Sequence, residues 1–300
     1  MFTITYHHIY KHPLPEGHRF PMLKYELLPQ QLLHEGTATT KMFFEPEVAD
    51  LAPVLAVHTK EYVNHLINLT LDARAARKIG FPLSAELVER ELRIAQGTID
   101  GAKNAFYDGI AFNIAGGTHH AYSHRGEAFC LLNDQAIGAQ YLLDNNLAKK
   151  ILIIDLDVHQ GNGTAEIFQN NNAVFTFSMH GKSNYPFKKE TSDLDIALPD
   201  GTSDDAYLKI LKETLPKLIQ TEKPDFIFYL SGVDIVDTDK LGKLSCSIQG
   251  CKKRDEIVFE LCKKYQIPVQ CSMGGGYSPQ IKTIIEAHAN TYRVAKDIFH

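Results

Sequence analysis

Two potential metal ligands, Asp157 and His159, follow directly after an apolar run in the middle of the chain. Residues 151–156 read ILIIDL, and the sequence continues DVHQGNG to residue 163. The run predicts a buried parallel strand, and α/β proteins bind their ligands at the carboxyl ends of such strands. Because residues two apart on an extended backbone point to the same face, the carboxylate of Asp157 and the imidazole of His159 can bind one metal ion together.

Four further apolar runs also end in residues that can bind metals or catalyse reactions. The runs lie at 111–115, 173–179, 225–231 and 267–273, and they are followed in turn by GGTHH (116–120), His180, GVD (232–234) and GGGY (274–277). In a parallel sheet all of these strand ends lie along one edge. We therefore expect their side chains to converge in one crevice.

Helical patterns alternate with these strands over most of the chain. They cover residues 60–78, 84–108 (with Ser84 as the predicted N-terminal cap), 133–146, 163–170, 204–222, 251–265 and 278–298. This alternation predicts an α/β fold, with a mainly parallel open sheet and helices on both faces. No repeat or linker divides the sequence, so we predict a single domain over residues 1–300.

Composition and charge disfavour several classes of protein. The 300-residue chain has a net charge of −5, whereas direct nucleic-acid binding normally requires a basic surface. Its five cysteines include no CxxC pair, which favours reduced thiols in a cytoplasmic protein over a disulfide framework. We identify no secretory signal and no stretch long enough for a membrane helix. The oligomeric state cannot be read from the sequence.

A third metal ligand is available at the end of another strand. Asp234 with Asp157 and His159 would leave coordination positions for water and for a substrate carbonyl. A metal held in this way polarises the carbonyl and acidifies the water. The alternative is that Asp234 is a turn or helix-cap aspartate, since Ser231-Gly232 precedes it.

Proton transfer and oxyanion stabilisation also have candidate residues. The adjacent imidazoles of His119 and His120 could serve as general base and general acid, and Asp155 could orient one of them. The hydroxyl of Tyr277 could donate a hydrogen bond to an oxyanion. Alternatively, the histidines are a surface pair like His7-His8, and the tyrosine is an ordinary loop residue.

Taken together, the motifs of these strand ends resemble those of one enzyme family. GGTHHA (116–121), FCLLND (129–134), DLDVHQGNG (155–163), GVD followed by DKLGKL (232–244) and GGGY (274–277) occur in the order found in the arginase–deacetylase superfamily. They are similar to the zinc-dependent histone deacetylases and their bacterial relatives, and GHRFPM (17–22) and VHTKEYV (57–63) also fit. HQGNG together with GVD…DKLG most resembles the class IV branch.

The resemblance implies a role for each matching residue of the reaction centre. Zinc, or ferrous iron in its place, would be bound by Asp157, His159 and Asp234. The tandem catalytic histidines would be His119, supported by Asp155, and His120, partnered by Asn162, while Tyr277 would polarise the acyl carbonyl. The substrate would be an acyl-lysine peptide or protein.

Further roles follow from the same resemblance. The tunnel for the lysine methylenes would be lined by Gly117, Phe129, Tyr185 and Leu241. A structural K⁺ or Na⁺ would be bound by Asp155, Asp157, His159, Ser178 and Met179. Arg19 would correspond to the arginine that lines the acetate-release channel.

Two departures from the family pattern concern the reaction centre. Many members have Asp where this chain has Asn162, and an amide can orient His120 without neutralising a positive charge on it. We therefore expect His120 to be neutral more readily and to act as the base. Ala128 replaces a glycine that is common in the tunnel wall, which would narrow or reshape the tunnel.

The leading hypothesis is a metal-dependent amidohydrolase that removes acetyl or longer acyl groups from lysine. An arginase-like binuclear site is disfavoured, because Gln160-Gly161 supplies no further carboxylate. An acetylpolyamine amidohydrolase, a long-chain deacylase and a non-catalytic acyl-lysine reader remain alternatives. The acyl-chain length and the physiological substrate stay open.

Overall fold

Eight parallel strands form one open sheet in the computed structural model, which describes residues 2–300. The strands are β1 (Thr3–Thr5), β2 (Phe43–Phe44), β3 (Ile110–Asn113), β4 (Ile151–Asp155), β5 (Val174–Gly181), β6 (Leu194–Leu198), β7 (Phe226–Leu230) and β8 (Val269–Ser272). Their order across the sheet is β2-β1-β3-β8-β7-β4-β5-β6, and each of these neighbouring pairs is parallel. The α/β fold with an open parallel sheet is confirmed.

Ten α-helices accompany the sheet within the described residues. They are α1 (Lys24–His34), α2 (Leu51–Leu55), α3 (Lys60–Ile67), α4 (Ala73–Ile79), α5 (Ala85–Asp108), α6 (Asp134–Asp144), α7 (Asn162–Phe168), α8 (Asp204–Glu222), α9 (Ile248–Tyr265) and α10 (Ile281–Phe299). Helix α10 packs against α1 and α9, α9 packs against α8, and α5 packs against α6 and strands β1, β3 and β8. Strands β3, β4, β7 and β8 are buried at every residue, as expected for a parallel sheet covered on both faces.

The predicted helix over 60–78 is two helices, α3 and α4. The chain turns between them at Leu69, which has a φ of 56°. Asp72 then begins α4, because its carboxylate accepts hydrogen bonds from the N–H groups of Arg74 and Ala75 at 2.7 and 2.8 Å. The predicted cap of α5 is confirmed: Ser84 Oγ accepts from the N–H of Leu87 at 3.1 Å.

Several strands and helices had no prediction from the sequence. Strands β1 and β2 contain three and two residues, which is too short for a periodic pattern. Strand β6 lies at the sheet edge and is only partly buried, so its apolar pattern is weak. Helix α1 has Pro29 inside it and a buried lysine in its first turn, and both features obscure a helical pattern.

The five cysteines are buried and free, in agreement with the expectation of reduced thiols. Within residues 2–300, no helix combines the length and the apolar character needed to span a bilayer.

The connections that leave the neighbouring strands β4 and β7 run in opposite directions across the sheet. From β4 the chain continues through α7 to β5 on one side, whereas from β7 it continues through α9 to β8 on the other side. Ligands of open α/β sheets bind at such a switch point, outside the carboxyl ends of the strands. Asp157 and His159 follow β4, and Asp234 follows β7.

A buried arginine on α9 joins the two strand ends at this switch point. The guanidinium of Arg254 donates to the carbonyl oxygens of Leu156, Ser231 and Gly232 at 3.3, 3.0 and 2.5 Å. Its Nε donates to Asp255 Oδ1 at 2.9 Å, and both side chains are fully buried. Arg254 therefore fixes the backbone immediately before Asp157 and Asp234.

Replacing Arg254 by methionine should destabilise the fold strongly. The substitution leaves the Asp255 carboxylate as a buried charge without its cation, and breaking a buried pair in this way costs about 3–5 kcal/mol. The measurement is the free energy of unfolding in urea. Lys253→Met on the exposed neighbouring residue is the matched control, expected to change stability by less than about 0.5 kcal/mol. Equal losses in the two variants would contradict the role given to Arg254.

Candidate active site

Asp157, His159 and Asp234 come together at the switch point with their potential ligand atoms within 4.8 Å of one another. His159 Nδ1 lies 3.0 Å from Asp157 Oδ1 and 3.2 Å from Asp234 Oδ2. A tetrahedral metal with bonds of about 2 Å has ligand atoms about 3.3 Å apart. The spacing of the three ligand atoms therefore fits one divalent ion. All three side chains are buried.

The hydrogen bonds of the two carboxylates leave one oxygen free for that ion. Asp157 Oδ2 accepts from the N–H of Gly275 at 2.9 Å, and Asp234 Oδ1 accepts from the N–H of Val158 at 2.9 Å. Asp234 Oδ2 is buried and accepts no hydrogen bond within residues 2–300; its 3.2 Å contact with His159 Nδ1 is a contact with another proposed ligand of the same ion. A buried unsatisfied carboxylate oxygen is costly unless a cation binds it. The interpretation of Asp234 as a turn or cap aspartate is not supported, because its partner Val158 belongs to another strand end.

Gly275 closes the metal site from the side of β8. A Cβ atom at this position would overlap Asp234 Oδ2, and it would lie 2.7 Å from Asp157 Oδ2. Only glycine lets the backbone N–H approach the carboxylates this closely. Gly275 is therefore required by its close approach to the ligands.

His119 is paired with a carboxylate. Its Nδ1 lies 2.7 Å from Asp155 Oδ2, and its Nε2 lies 4.0 Å from Asp157 Oδ1. Burial alone would lower the pKa of His119, but the charge and hydrogen bond of Asp155 outweigh it and the pKa is raised. The imidazole is thus stabilised in its protonated form, with Nε2 directed towards the metal site.

His120 is paired with an amide instead. Its Nδ1 lies 2.6 Å from Asn162 Oδ1, and Asn162 Nδ2 donates to the Tyr122 hydroxyl at 2.9 Å. Because the amide nitrogen is used as a donor, the amide oxygen must accept the Nδ1 proton, which leaves the Nε2 lone pair free. Burial, followed by the charges of His119 and His159, holds the pKa of His120 well below its usual range.

Tyr277 reaches the site from the loop after β8. Its backbone N–H donates to Asp239 Oδ2 at 2.6 Å, and Asp239 Oδ1 accepts from the N–H groups of Leu241 and Gly242. Asp239 therefore ties the GGGY segment to the DKLG segment. Burial and the nearby carboxylates raise the pKa of Tyr277 well above its usual range, so its hydroxyl stays protonated and can donate.

An aromatic passage leads from the surface to the metal site. The ring of Phe129 lies 6.1 Å from that of Tyr277, and the ring of Tyr185 meets His120 edge-on at 4.9 Å. Gly117 lines its inner part and Leu241 lines its outer part. The four predicted tunnel residues therefore lie along one passage.

The tunnel wall contains two residues in left-handed backbone conformations. Ala128 has a φ of 44° and Phe129 has a φ of 69°. Such values favour glycine, so Ala128 occupies a backbone conformation that L side chains rarely adopt. The turn is maintained by hydrogen bonds from the N–H groups of Ala128 and Phe129 to the carbonyl oxygens of Lys78 and Ile79, at 2.9 and 2.6 Å.

Arg19 lies at the outer end of the passage. Its guanidinium is 5.0 Å from the centre of the Phe129 ring, and it lines the outer cavity. The inner cavity, of about 40 Å³, is lined instead by Tyr25, Arg90 and Ile94 beyond the metal site. The assignment of Arg19 to an acetate channel stays a prediction.

The residues predicted for a monovalent cation are adjacent in the sheet. Asp155 of β4 pairs in register with Ser178 of β5, and Met179 follows it. The side chains of Ser178 and Met179 are buried. Cation binding at this position stays a prediction. His180 lies within β5, where Ser178 Oγ contacts its ring nitrogen at 2.9 Å.

Two buried cations near the site had no sequence prediction. Lys24 is fully buried, and its Nζ donates to the Gly274 carbonyl at 3.0 Å and lies 5.6 Å from the Tyr277 ring. Burial lowers the pKa of Lys24 to about 8, although the negative charges of nearby aspartates act in the opposite direction. Arg90 is ion-paired with Glu91 inside α5. A charged residue in a helical pattern normally indicates an exposed face. The sequence therefore did not indicate that Lys24 and Arg90 are buried.

Comparison with known proteins identifies the family. The family model described as histone deacetylase domain matches residues 18–292. An uncharacterized protein of Picosynechococcus sp. is 44% identical over 99% of both chains. Histone deacetylase 2 of Arabidopsis thaliana is 31% identical, over 89% of this chain and 72% of its own length. The crystal structure of an HDAC homologue complexed with SAHA has a TM-score of 0.85 at 25% identity, covering 99% of this chain and 84% of its own. The chain therefore belongs to the histone deacetylase family.

Proposed function

We propose that this deacetylase hydrolyses the amide of Nε-acylated lysine side chains with a single zinc ion. The observation that carries the proposal is the arrangement at the inner end of the aromatic passage. Three convergent metal ligands and two imidazoles with opposite protonation preferences lie there together. A long, thin and neutral side chain such as acyl-lysine matches a passage between Phe129 and Tyr185.

The donor set supports a divalent metal. Two carboxylates and one imidazole suit zinc or ferrous iron, and three protein ligands are typical of a catalytic rather than a structural site. Bound by Asp157, His159 and Asp234, zinc would supply Lewis-acid polarisation of the acyl carbonyl and acidification of a water molecule. The class IV placement remains a prediction.

His120 is assigned the role of general base. It is neutral, its tautomer is fixed by Asn162, and it lines the inner cavity, so its free Nε2 can take a proton from the attacking water. His119 retains its proton through Asp155 and can donate it to the leaving lysine nitrogen. The hydrogen-bond partners, an amide for His120 and a carboxylate for His119, thus give the two histidines different protonation states and different roles.

Tyr277 is assigned to the carbonyl oxygen. Its hydroxyl remains protonated, and a preorganised donor of this kind stabilises the negative charge that develops during attack. Asp239 and Lys24 hold the loop that carries it, through the Tyr277 N–H and the Gly274 carbonyl. The protein atoms alone therefore position donors and acceptors around one reacting carbonyl.

The test is a kinetic screen of Nε-acyl-lysine peptides, from acetyl to myristoyl, alongside acetylpolyamines. It should be run with metal-stripped and zinc-restored protein. We expect hydrolysis of at least one acyl-lysine peptide only after zinc is restored. Asp234→Asn should lower both zinc content and kcat/KM, the latter by at least about a hundredfold, because it removes the ligand oxygen that has no other partner.

Asp237→Asn is the matched control, since it makes the same chemical change on an exposed side chain three residues away. It should keep zinc content and activity. Hydrolysis of acetylpolyamines alone would replace the proposed substrate class. Zinc-loaded protein that hydrolyses none of the compounds would contradict the proposal and favour a non-catalytic acyl-lysine reader.

Replacing Asn162 by Asp should shift the pH profile of the zinc enzyme. The new carboxylate beside His120 favours the protonated imidazole and raises its pKa. The base works only when neutral, and activity is lost as the pH falls through its pKa. The acidic limb of kcat/KM should therefore move to higher pH, which is measured from a full pH–rate profile.

Asn172→Asp provides the control for this prediction, because it adds the same charge at an exposed position. Its acidic limb should coincide with that of the unmodified protein. An acidic limb that stays in place in Asn162→Asp would rule out His120 as the group that titrates there.

A further inference from the structure

The mouth of the passage is positively charged, although the whole chain has a net charge of −5. The outer cavity, of about 380 Å³, is lined by the cationic side chains of Arg19, Lys78 and Lys243. No aspartate or glutamate is among the residues of the described chain that line it. The sign of the charge at the mouth is therefore opposite to that of the protein as a whole.

Two of these cations have no carboxylate partner among residues 2–300. Lys243 Nζ contacts only the carbonyl and hydroxyl oxygens of Ser183, at 3.4 and 3.2 Å, and that hydroxyl donates to Asp200 at 2.5 Å. Arg19 is exposed and contacts the face of Phe129. Their charges are available to a bound molecule.

Lys78 has a distant partner that is already occupied. Glu127 Oε1 lies 3.8 Å from Lys78 Nζ. The same carboxylate accepts hydrogen bonds from Arg125 at 2.8 Å and from the Tyr185 hydroxyl at 2.6 Å. One carboxylate shared between two cations leaves a net positive charge on this side of the mouth.

The mouth also presents an apolar contact. Phe187 lines it with 92% of its side chain exposed, next to the partly buried Leu241. An exposed aromatic ring among cations is suited to peptide backbone and side chains that carry carboxylates. The surface around the passage therefore has the character of a peptide-binding surface.

We infer that the mouth selects acyl-lysines whose neighbouring residues are acidic, and that Arg19, Lys78 and Lys243 determine this preference. The inference rests on the proposed function and names its substrate class: an acidic segment of a peptide or protein. Polycationic substrates, such as lysine-rich tails and acetylpolyamines, are repelled by the same charges.

The reaction itself gives the positive mouth a second effect. Acyl-lysine is neutral when it enters the passage, whereas the lysine product is a cation. The three cations at the mouth do not repel the neutral acyl-lysine side chain, whereas they repel the charged lysine side chain of the product, which favours its exit from the passage. Both effects are electrostatic at an exposed surface, so both weaken as salt is added.

The experiment compares two acyl-lysine peptides that differ only in their flanking residues, with Asp and Glu in one and Lys and Arg in the other. With zinc-loaded protein at about 20 mM salt, kcat/KM should favour the acidic peptide by about tenfold or more, and the ratio should approach one at about 1 M salt. The double variant Lys78→Glu/Lys243→Glu should reverse the ratio at low salt. Lys217→Glu, an exposed lysine in the C-terminal half of α8, should leave it unchanged.

The outcomes separate this inference from the proposed function. If both peptides are hydrolysed equally at low salt, or if the ratio does not respond to the double variant, the mouth does not select by charge and the inference alone is overturned. If neither peptide nor any other acyl-lysine compound is hydrolysed, the proposed function fails and the inference fails with it.

Discussion

The burial of two carboxylates against one imidazole is the constraint on which the rest of the site depends. Asp157 and Asp234 both lie within about 3 Å of His159 Nδ1 and away from water. Such a cluster is stable only if its oxygens receive hydrogen bonds and its charge is balanced. Backbone N–H groups of Val158 and Gly275 meet the first need, and a divalent cation bound at Asp234 Oδ2 would meet the second.

The sheet and its covering helices supply what this cluster requires. Adjacent strands β4 and β7 place the ligands, because their connections leave in opposite directions and open a crevice between them. Arg254 of α9 fixes both strand ends through their carbonyl oxygens, and helix α9 therefore helps to set the spacing of the ligands. Lys24 adds a positive charge on the other side, where it holds the Gly274 carbonyl. Arg254 thus positions the two strand ends, and Lys24 positions the GGGY loop and adds positive charge near the ligand carboxylates.

Sequence predicted those features that depend on local pattern. The β4 run and the two-residue spacing of Asp157 and His159 are local, and so is Ser84 as a cap; the structure has them as expected. The burial of Lys24 is not local, because it depends on residues 250 positions away in the chain. The division at Leu69 and the short strands β1 and β2 likewise depend on turns and tertiary pairing that periodicity does not report.

The two adjacent histidines have the same side chain, and their hydrogen-bond partners decide which of the two rings is protonated. Both rings are buried and their centres are 4.0 Å apart, so one positive charge on the pair disfavours a second. Asp155 makes His119 the place where that charge is stable, and Asn162 gives His120 no charge of its own to offset it. A second carboxylate in place of Asn162 would allow both rings to be protonated and would remove the distinction. In the proposed reaction, the amide at position 162 would therefore keep one imidazole available as a base while its neighbour holds a proton for the leaving nitrogen.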